Sequence, residues 1–397
     1  MLQTEILRDA ADFVRMWDEV GRLRAVCGLK DDVTLCPLHF LATTNPARRS
    51  CSVACWRGPQ LVGVMYATSQ RVLGVDTGYA ISGDYMGRGS LLCRREDEAE
   101  VTEACVSAMF AAGTHSLHIR HLPRSRGAAL LEGYAVRCLD AEVPGDRMVL
   151  GTSYDEFLSR LGRHTRRNVR YYTRKAEEAG IAFAPELSKE EYAAGVERLN
   201  RAADFPAEAM RLRCDERLMA LHGGGRRMGL RRPDGALVAV LCGFRRGDRF
   251  HLLTQLNDAG YRWLSLSPVL RGLAVEQLIA TGHRELQFLG GTSLFFGRFC
   301  VPERYRSILV DRKRGLAAAG KRVCSWVIDS LGGPGAPIPV TLEMLCGVFL
   351  DERRLLRRTA LGPAAVAYGR SGTEPPKLAA SRAAVAAAAA EKSLRAV

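Results

Sequence analysis

The sequence predicts an α+β fold in which mixed, mostly antiparallel sheets are flanked by helices. The first observation behind this prediction is an internal repeat. Residues 60–64 (QLVGV) have a counterpart in residues 236–240 (ALVAV), and a helix–glycine–strand unit that passes through Gly113 recurs around Gly282. Both matches have nearly the same separation, as expected for two copies of one fold. The second observation is the order within each copy: helices, antiparallel strands, helix, strand.

In the first copy, apolar spacing predicts a helix over residues 8–28. A strand pair follows at 49–69, where Arg57-Gly58-Pro59 supplies the turn between two β-rich segments. A helix over 98–112 ends at a glycine, and alternating residues at 116–122 indicate a strand. A short strand is predicted at 147–150.

The second copy begins with the basic segment 153–180, which predicts one amphipathic helix. Ser153 and Glu156 have capping-box spacing, and Gly180 suits the position after a helix. An apolar stripe on this helix comprises Leu158, Leu161, Val169, Tyr172 and Ala176. The elements predicted after it are a strand at 181–186, a helix at 188–203, three strands within 226–257, a helix at 267–282 and a strand at 285–291.

Length and composition favour two domains and a tail. The predicted units are residues 1–150, residues 151–315, a helical extension at 316–368 and a disordered tail at 369–397. The net charge of +14 favours an anionic partner, although a coding bias toward arginine explains it equally well. The N-terminus lacks the apolar core of a signal peptide, and no apolar run approaches the roughly 18 residues of a spanning helix. The expected location is therefore the cytoplasm.

Four segments together resemble a known family. They are residues 84–92, 118–123, 151–180 and 267–291. In this order they resemble the acetyltransferase-like proteins of the CelD and FemAB kind, which are tandem copies of the GNAT acyltransferase fold. The resemblance covers about residues 5–315. It implies acyl transfer, commonly to an amine, with either an acyl-coenzyme A or an aminoacyl-tRNA donor.

The resemblance also implies a site for the coenzyme A pyrophosphate. GNAT folds hold it at a loop that enters a helix, with the pattern R-x-x-G-x-G/A. Arg262 and the spacing match this pattern, but Ser265 and Ser267 occupy the two small positions. Free N–H groups at a helix start attract phosphate, so these three residues are the predicted cofactor-binding set. An ordinary Ser-Pro helix start is the alternative.

Acyl transfer to an amine also benefits from a general base. His251, Gln255 and Asn257 lie on the strand before the predicted phosphate loop, and counting by two places them on one face. His251 is the one group among them that can take a proton at neutral pH, and Gln255 can orient a substrate or a water. Asp258 follows in the turn as a second candidate base.

The basic helix supplies a candidate phosphate-binding surface. The predicted set comprises Arg163, Arg167 and Arg170 with Tyr172, which can stack on a base, and Arg304 beyond the last strand. A solvated helix face is an equally simple interpretation of the arginines. The three histidines at 115, 118 and 121 alternate between strand faces, so no metal is predicted.

These observations lead to one predicted function and two alternatives. The prediction is an N-acyltransferase that moves an acyl group from acyl-coenzyme A, such as acetyl-coenzyme A, to an amine of a small molecule or a cell-envelope or polysaccharide precursor. The second copy carries the site and the first supports it. The first alternative is FemAB-like transfer from aminoacyl-tRNA. The second is a non-catalytic GNAT-like fold that binds an acidic partner.

Overall fold

The computed structural model describes most of the chain as far as residue 313. The described ranges are 2–45, 48–72, 75–84, 88–123, 131, 133–143, 146–204, 206–289, 294–297 and 299–313. The predicted extension at 316–368 and the tail at 369–397 lie outside them. No helix in these ranges combines the length and the apolar composition needed to cross a bilayer.

Helices and strands alternate along the described chain. The helices are α1 (Ala10–Arg15), α2 (Trp17–Val26), α3 (Pro37–Thr43), α4 (Glu98–Ala111), α5 (Tyr154–Arg160), α6 (Arg163–Glu178), α7 (Lys189–Ala202), α8 (Ala209–His222), α9 (Leu266–Ala280) and α10 (Leu294–Gly297). The first-half strands are β1 (Gln3–Leu7), β2 (Arg48–Ser50), β3 (Ser52–Arg57), β4 (Gln60–Met65), β5 (Ala67–Val72), β6 (Val75–Ser82), β7 (Leu91–Cys93), β8 (Ser116–Pro123), β9 (Tyr134–Val143) and β10 (Arg147–Val149). The later strands are β11 (Ala182–Ala184), β12 (Gly225–Arg231), β13 (Leu237–Arg246), β14 (Arg249–Asn257), β15 (Glu285–Phe288) and β16 (Glu303–Arg312).

The strands form three sheets. Their orders are β1-β3-β4-β7, β2-β5-β6-β8-β16-β9 and β10-β15-β14-β13-β12-β11. Among the described pairs, β6–β8 and β14–β15 are parallel and the others are antiparallel. The predicted α+β class with mixed, mostly antiparallel sheets is therefore confirmed.

The predicted repeat appears as a recurring unit around each parallel pair. In the first half, β4 and β5 form one arm of a hairpin, and β6 and β7 form the returning arm. Helix α4 then crosses the sheet, and β8 lies parallel to β6. In the second half β13 and β14 form the hairpin, α9 crosses and β15 lies parallel to β14. A helix is the connection that a parallel neighbour requires.

The two halves exchange strands at their edges. β10 precedes residue 150 but pairs with β15 of the second half. β16 lies near the end of the described chain but pairs with both β8 and β9 of the first half. The predicted division at residues 150 and 315 stays a prediction. Near residue 150, β10 belongs to the sheet of the second half, and near residue 315, β16 belongs to a sheet of the first half.

The basic segment forms two helices rather than the single helix that its periodicity predicts. α5 ends at Leu161, whose φ of −74° and ψ of 141° are extended, and α6 starts after Gly162. Leu161 is 3% exposed, so the extended backbone buries this side chain in the core. Ser153 caps α5 by accepting from the Glu156 N–H, but the Glu156 carboxylate accepts from Thr152 instead of completing the box.

The core of the second half lies on both faces of its sheet. One cluster packs α5, α6 and α9 against the sheet and includes Phe157, Val169 and Leu270. The other packs α7 and α8 and includes Leu199, Leu218 and Phe244. Helices on both faces leave the ends of the central strands as the place where polar side chains can gather.

Candidate functional site

The central feature of the second half is the point where β14 and β15 separate. Parallel pairing runs from Arg249 opposite Glu285 to Leu252 opposite Phe288. The Leu289 N–H then donates to the Leu252 carbonyl at 2.9 Å. β14 continues to Asn257 beyond this last bond, so its second half lies alongside β13 with no described pairing to β15.

A register shift reverses the faces of β14 within this separated part. The pairing changes between Leu241 and Gly243, which places an extra residue in β14. His251 stacks on Phe244 in the cluster on the α7–α8 face, whereas Gln255 bonds to α9. The sequence expectation that His251 and Gln255 share a face is therefore wrong, because alternation fails across a bulge.

Gln255 lies in a polar cluster at the start of α9. Its Oε1 accepts from the Arg271 Nε at 2.6 Å, and its Nε2 donates to the Asn257 Oδ1 at 3.0 Å. A longer contact of 3.3 Å joins Nε2 to the Ser267 carbonyl. These bonds fix the amide at the mouth of the separated strands, where it can orient a bound group.

His251 is completely buried. Its ring lies 4.8 Å from the Phe244 ring and nearly parallel to it, and neither ring nitrogen has a hydrogen-bond partner among the described residues. Burial, with a smaller contribution from the Arg249 charge, lowers the pKa of His251 well below its usual value. The ring is therefore neutral at pH 7, and its role as a base stays a prediction.

Asp258, the second candidate base, caps the 3-10 turn Ala259–Leu264. Its carboxylate accepts from the Gly260 N–H at 2.9 Å and lies 4.0 Å from the Arg198 guanidinium. The side chain is 18% exposed. Its described contacts are those of a residue that shapes the loop between β14 and α9.

The predicted cofactor-binding residues come together at the start of α9. Ser265 is the N-cap, with φ of 48° and ψ of 54°, and it is the one non-glycine residue with positive φ in the described chain. Glycine adopts this conformation without strain, so the fold keeps a glycine-like geometry at the first small position of the pattern. α9 starts at Leu266, one residue before Ser267, and has no side-chain cap. Ser265 is therefore the N-cap, and the helix predicted over residues 267–282 begins one residue earlier than expected.

Charge distinguishes this helix start from its counterpart in the first half. The first turn of α9 contains no acidic residue. By contrast, α4 follows Asp97 and carries Glu98 and Glu100 in its first turn. Carboxylates there repel a phosphate, whereas the uncapped N–H groups of α9 attract one. This difference favours the second half as the anion-binding copy.

Arg262 lies on the 3-10 turn and is held by Asp204. Its Nε donates to Asp204 Oδ2 at 2.9 Å, and its Nη2 contacts Oδ1. The pair is exposed, with 73% of the Arg262 side chain accessible. A phosphate must therefore compete with this carboxylate for the guanidinium.

The α6 arginines form an exposed cationic face. Those predicted to bind phosphate are Arg163, Arg167 and Arg170, and all three are exposed. Arg170 reaches Asp155 at 3.5 Å, in a pair open to solvent. Lys175 lies 5.0 Å from the Trp263 ring and donates to the Trp263 carbonyl at 3.3 Å, which joins this face to the 3-10 turn.

Two other members of the predicted substrate-binding set lie elsewhere. Tyr172 is half-buried and packs against the core on the α9 face, while its neighbour Tyr171 is 46% exposed. Tyr171 is therefore the tyrosine of this pair that is open for stacking. Arg304 lies on β16, opposite Glu142 of β9, in the sheet of the first half. Its backbone is thus outside the sheet that contains β14 and β15.

Two buried charged residues near β14 were not singled out from the sequence. Arg271 is 9% exposed and interrupts the apolar sequence of α9. Asp215 is 2% exposed and lies three residues after Leu212 and three before Leu218. A charged residue at apolar-stripe spacing is the signal that could have identified both.

Comparison with known proteins agrees with this geometry. Residues 163–298 match the model of the family described as "Acetyltransferase (GNAT) domain". The match begins at the first residue of α6 and includes β14, the 3-10 turn, α9 and β15. No curated protein matches the chain.

The chain is also similar to solved structures, and its likeness to FemX shows the fold. FemX superposes with a TM-score of 0.50 at 10% identity, over 74% of this chain and 94% of that one. A tandem GNAT protein from the clavulanic acid biosynthesis pathway gives 0.47 at 12% identity, over 79% and 100%. L-PGS from Bacillus licheniformis gives 0.44 at 12%, over 76% and 94%. The family match places a GNAT acetyltransferase domain model on residues 163–298, and the likeness to FemX shows the GNAT fold.

Proposed function

We propose that the second half transfers an acyl group from acyl-coenzyme A to an amine of a small molecule or a cell-envelope or polysaccharide precursor. One observation carries the proposal. The strand that separates from its parallel neighbour leads, through one 3-10 turn, into a helix start with left-handed Ser265, no acidic residue in its first turn and no side-chain cap. An elongated thioester whose pyrophosphate binds at this helix start has its reactive end directed into the gap between β14 and β15.

The described residues supply the positioning for this reaction. The pyrophosphate binds the N–H groups of Leu266 and Ser267 and, after displacement of Asp204, the Arg262 guanidinium. Gln255 is held by Arg271 at the mouth of the gap, where its amide orients the acceptor or a water. The amine attacks the thioester carbonyl, the C–N bond forms and the C–S bond breaks. Coenzyme A leaves as the thiolate, and the amine proton passes to a base or water.

Transfer from aminoacyl-tRNA is the second candidate, and the cationic face of α6 favours it. Exposed Arg163, Arg167 and Arg170 share this helix with Tyr171, and Lys175 connects it to Trp263. Arginines beside exposed aromatic rings suit phosphates and unstacked bases. Salt-dependent binding of mixed tRNA that weakens in Arg167→Glu with Arg170→Glu would support this candidate.

Binding of the donor tests the main proposal. Thermal-shift and calorimetric titrations of the full chain with coenzyme A, acetyl-coenzyme A and longer acyl-coenzyme A thioesters are the measurement. Acetyl-coenzyme A at roughly 100 times its dissociation constant is expected to stabilise the fold by about 2.7 kcal/mol. A folded sample that binds none of these thioesters would overturn the proposal.

A further inference from the structure

A cavity lies between α7 and α8, away from the helix start that the proposed donor site uses. Its volume is about 580 Å³, large enough for a small organic molecule. Tyr192 and Val196 of α7 and Leu212 of α8 contribute apolar surface. Asp215 of α8 also lines the cavity.

Asp215 carries the only charge on this wall that is both deeply buried and unpaired among the described residues. It is 2% exposed, and neither carboxylate oxygen has a hydrogen-bond partner there. The neighbouring charges are engaged elsewhere: Arg211 donates to the Thr254 hydroxyl at 2.9 Å, and Glu216 accepts from Arg227 at 3.1 Å. A buried carboxylate without a partner is costly, so its presence beside a cavity calls for a ligand.

The cavity borders the strand that the proposed reaction uses. Arg211, one turn before Asp215, also donates to the Leu253 carbonyl at 2.7 Å. Leu253 and Thr254 are the residues of β14 directly after Leu252, where the pairing with β15 ends. α8 therefore places the Asp215 wall beside the separated part of β14, on the sheet face opposite α9.

We infer that this cavity binds the acceptor, a primary amine with an apolar body, through an ion pair between its ammonium group and the Asp215 carboxylate. The inference rests on the proposed function and adds the acceptor class and its anchor. A cation satisfies both free carboxylate oxygens with charge-assisted hydrogen bonds. Tyr192, Val196 and Leu212 then cover the body of the ligand. Asp215 acts here as a binding residue, and the ammonium loses its proton to water before the nitrogen attacks the thioester carbonyl.

Calorimetry with a matched pair of probes tests the inference. 2-Phenylethylamine and 2-phenylethanol have the same apolar body and differ in the charged head. The wild-type full chain is expected to bind the amine at least tenfold more tightly than the alcohol at pH 8. Asp215→Asn is expected to lose at least tenfold in amine affinity and to leave alcohol affinity within twofold. Glu190→Gln, the same charge change on the exposed first turn of α7, is expected to leave both unchanged.

Equal affinity for amine and alcohol, or equal amine affinity in wild type and Asp215→Asn, would overturn the inference. An equal loss in Glu190→Gln would also do so, because it would show general attraction to a negative surface. Titration of the same variants with acetyl-coenzyme A separates this outcome from failure of the proposed function. Asp215→Asn is expected to bind acetyl-coenzyme A like wild type, which also shows that the variant is folded. The wild type could bind the amine in an Asp215-dependent way and yet fail to bind acetyl-coenzyme A. That result would overturn the proposed acyl-coenzyme A donor and retain the amine site.

Discussion

The guanidinium of Arg262 and the carboxylate of Asp204 form a two-point ion pair across the loop that leads into α9. The Arg262 Nε donates to Asp204 Oδ2 at 2.9 Å, and Nη2 contacts Oδ1. Asp204 lies just after α7, so the pair connects the two sides of the second half. The residue predicted to bind a pyrophosphate is therefore already occupied by an anionic group of the protein.

Removing this competitor is expected to strengthen donor binding. An exposed ion pair contributes about 0–1 kcal/mol, so Asp204→Asn should raise the affinity for coenzyme A by up to about fivefold. Arg262→Gln should lower it. Glu197→Gln, which breaks an exposed pair with Arg201 on α7, is the control and should have no effect. Weaker coenzyme A binding in Asp204→Asn would show that Asp204 supports the site instead of blocking Arg262.

The left-handed backbone of Ser265 predicts that glycine is better accommodated there. Ser265→Gly removes the Cβ that disfavours a φ of 48° and should raise the free energy of unfolding by about 1 kcal/mol. Ser265→Val should lower it by more, because a β-branched residue is more strained there. Urea denaturation measures both changes. A glycine variant less stable than wild type would mean that the Ser265 hydroxyl contributes more than the strain costs.

Asp215 predicts a pH dependence of stability. Burial raises its pKa from 3.8 to about 6, while the nearby Thr254 hydroxyl and the Arg211 charge oppose this shift and Glu216 adds to it. Tyr192 of α7, Cys214 of α8 and Cys242 of β13 are further titratable groups that interact with it. Because the folded pKa is above the unfolded value, the stabilisation is complete below about pH 4 and is lost as the pH rises through about 6.

The Asp215→Asn variant isolates this effect. At pH 8 it should be more stable than wild type, by at most about 3 kcal/mol for a shift of this size. At pH 4 the two proteins should unfold at nearly the same urea concentration. The same difference at both pH values would contradict a carboxylate that is ionised and unpaired at neutral pH. Gains in stability at functional charges commonly accompany a loss of function.

The hydrogen bond between Arg271 and Gln255 predicts that the two side chains are strongly coupled in their effects on the free energy of unfolding. Arg271→Leu leaves the Gln255 Oε1 without its donor and should cost about 2 kcal/mol of unfolding free energy. Replacing both residues by Leu should cost less than the sum of the single changes, since the double variant leaves neither group of this pair unsatisfied. A double-mutant cycle in urea measures the coupling. Additive losses would show that the two side chains act independently.

Periodicity and turn signals predicted most elements because these depend on local sequence. The hairpin at β13 and β14, the α9 crossover and the parallel strand β15 follow from such signals. The pairing of strands that are distant in the sequence does not follow from such signals. β16 is the last described strand of the chain, yet it inserts between β8 and β9. No local pattern specifies this choice of partners.

The site was predicted less completely for the same reason. Spacing singled out Ser265 and Arg262, and the structure brings them together at the start of α9. Their role in binding stays a prediction. The shared face of His251 and Gln255 was wrong because one extra residue in β14 reverses the alternation. The interruption at Leu161 and Gly162 was missed because the helical spacing continues through it.

A carboxylate placed at the start of α9 tests the central claim most directly. Ser267→Asp puts a negative charge in the first turn, which favours the helix dipole and should keep the protein folded or stabilise it by about 0.3–1 kcal/mol. It should also repel the pyrophosphate. Gln277→Glu adds the same charge near the other end of α9 and is the control. Calorimetry with acetyl-coenzyme A should show binding to wild type and Gln277→Glu and at least a tenfold loss in Ser267→Asp. Equal binding by all three proteins would contradict a donor site at this helix start.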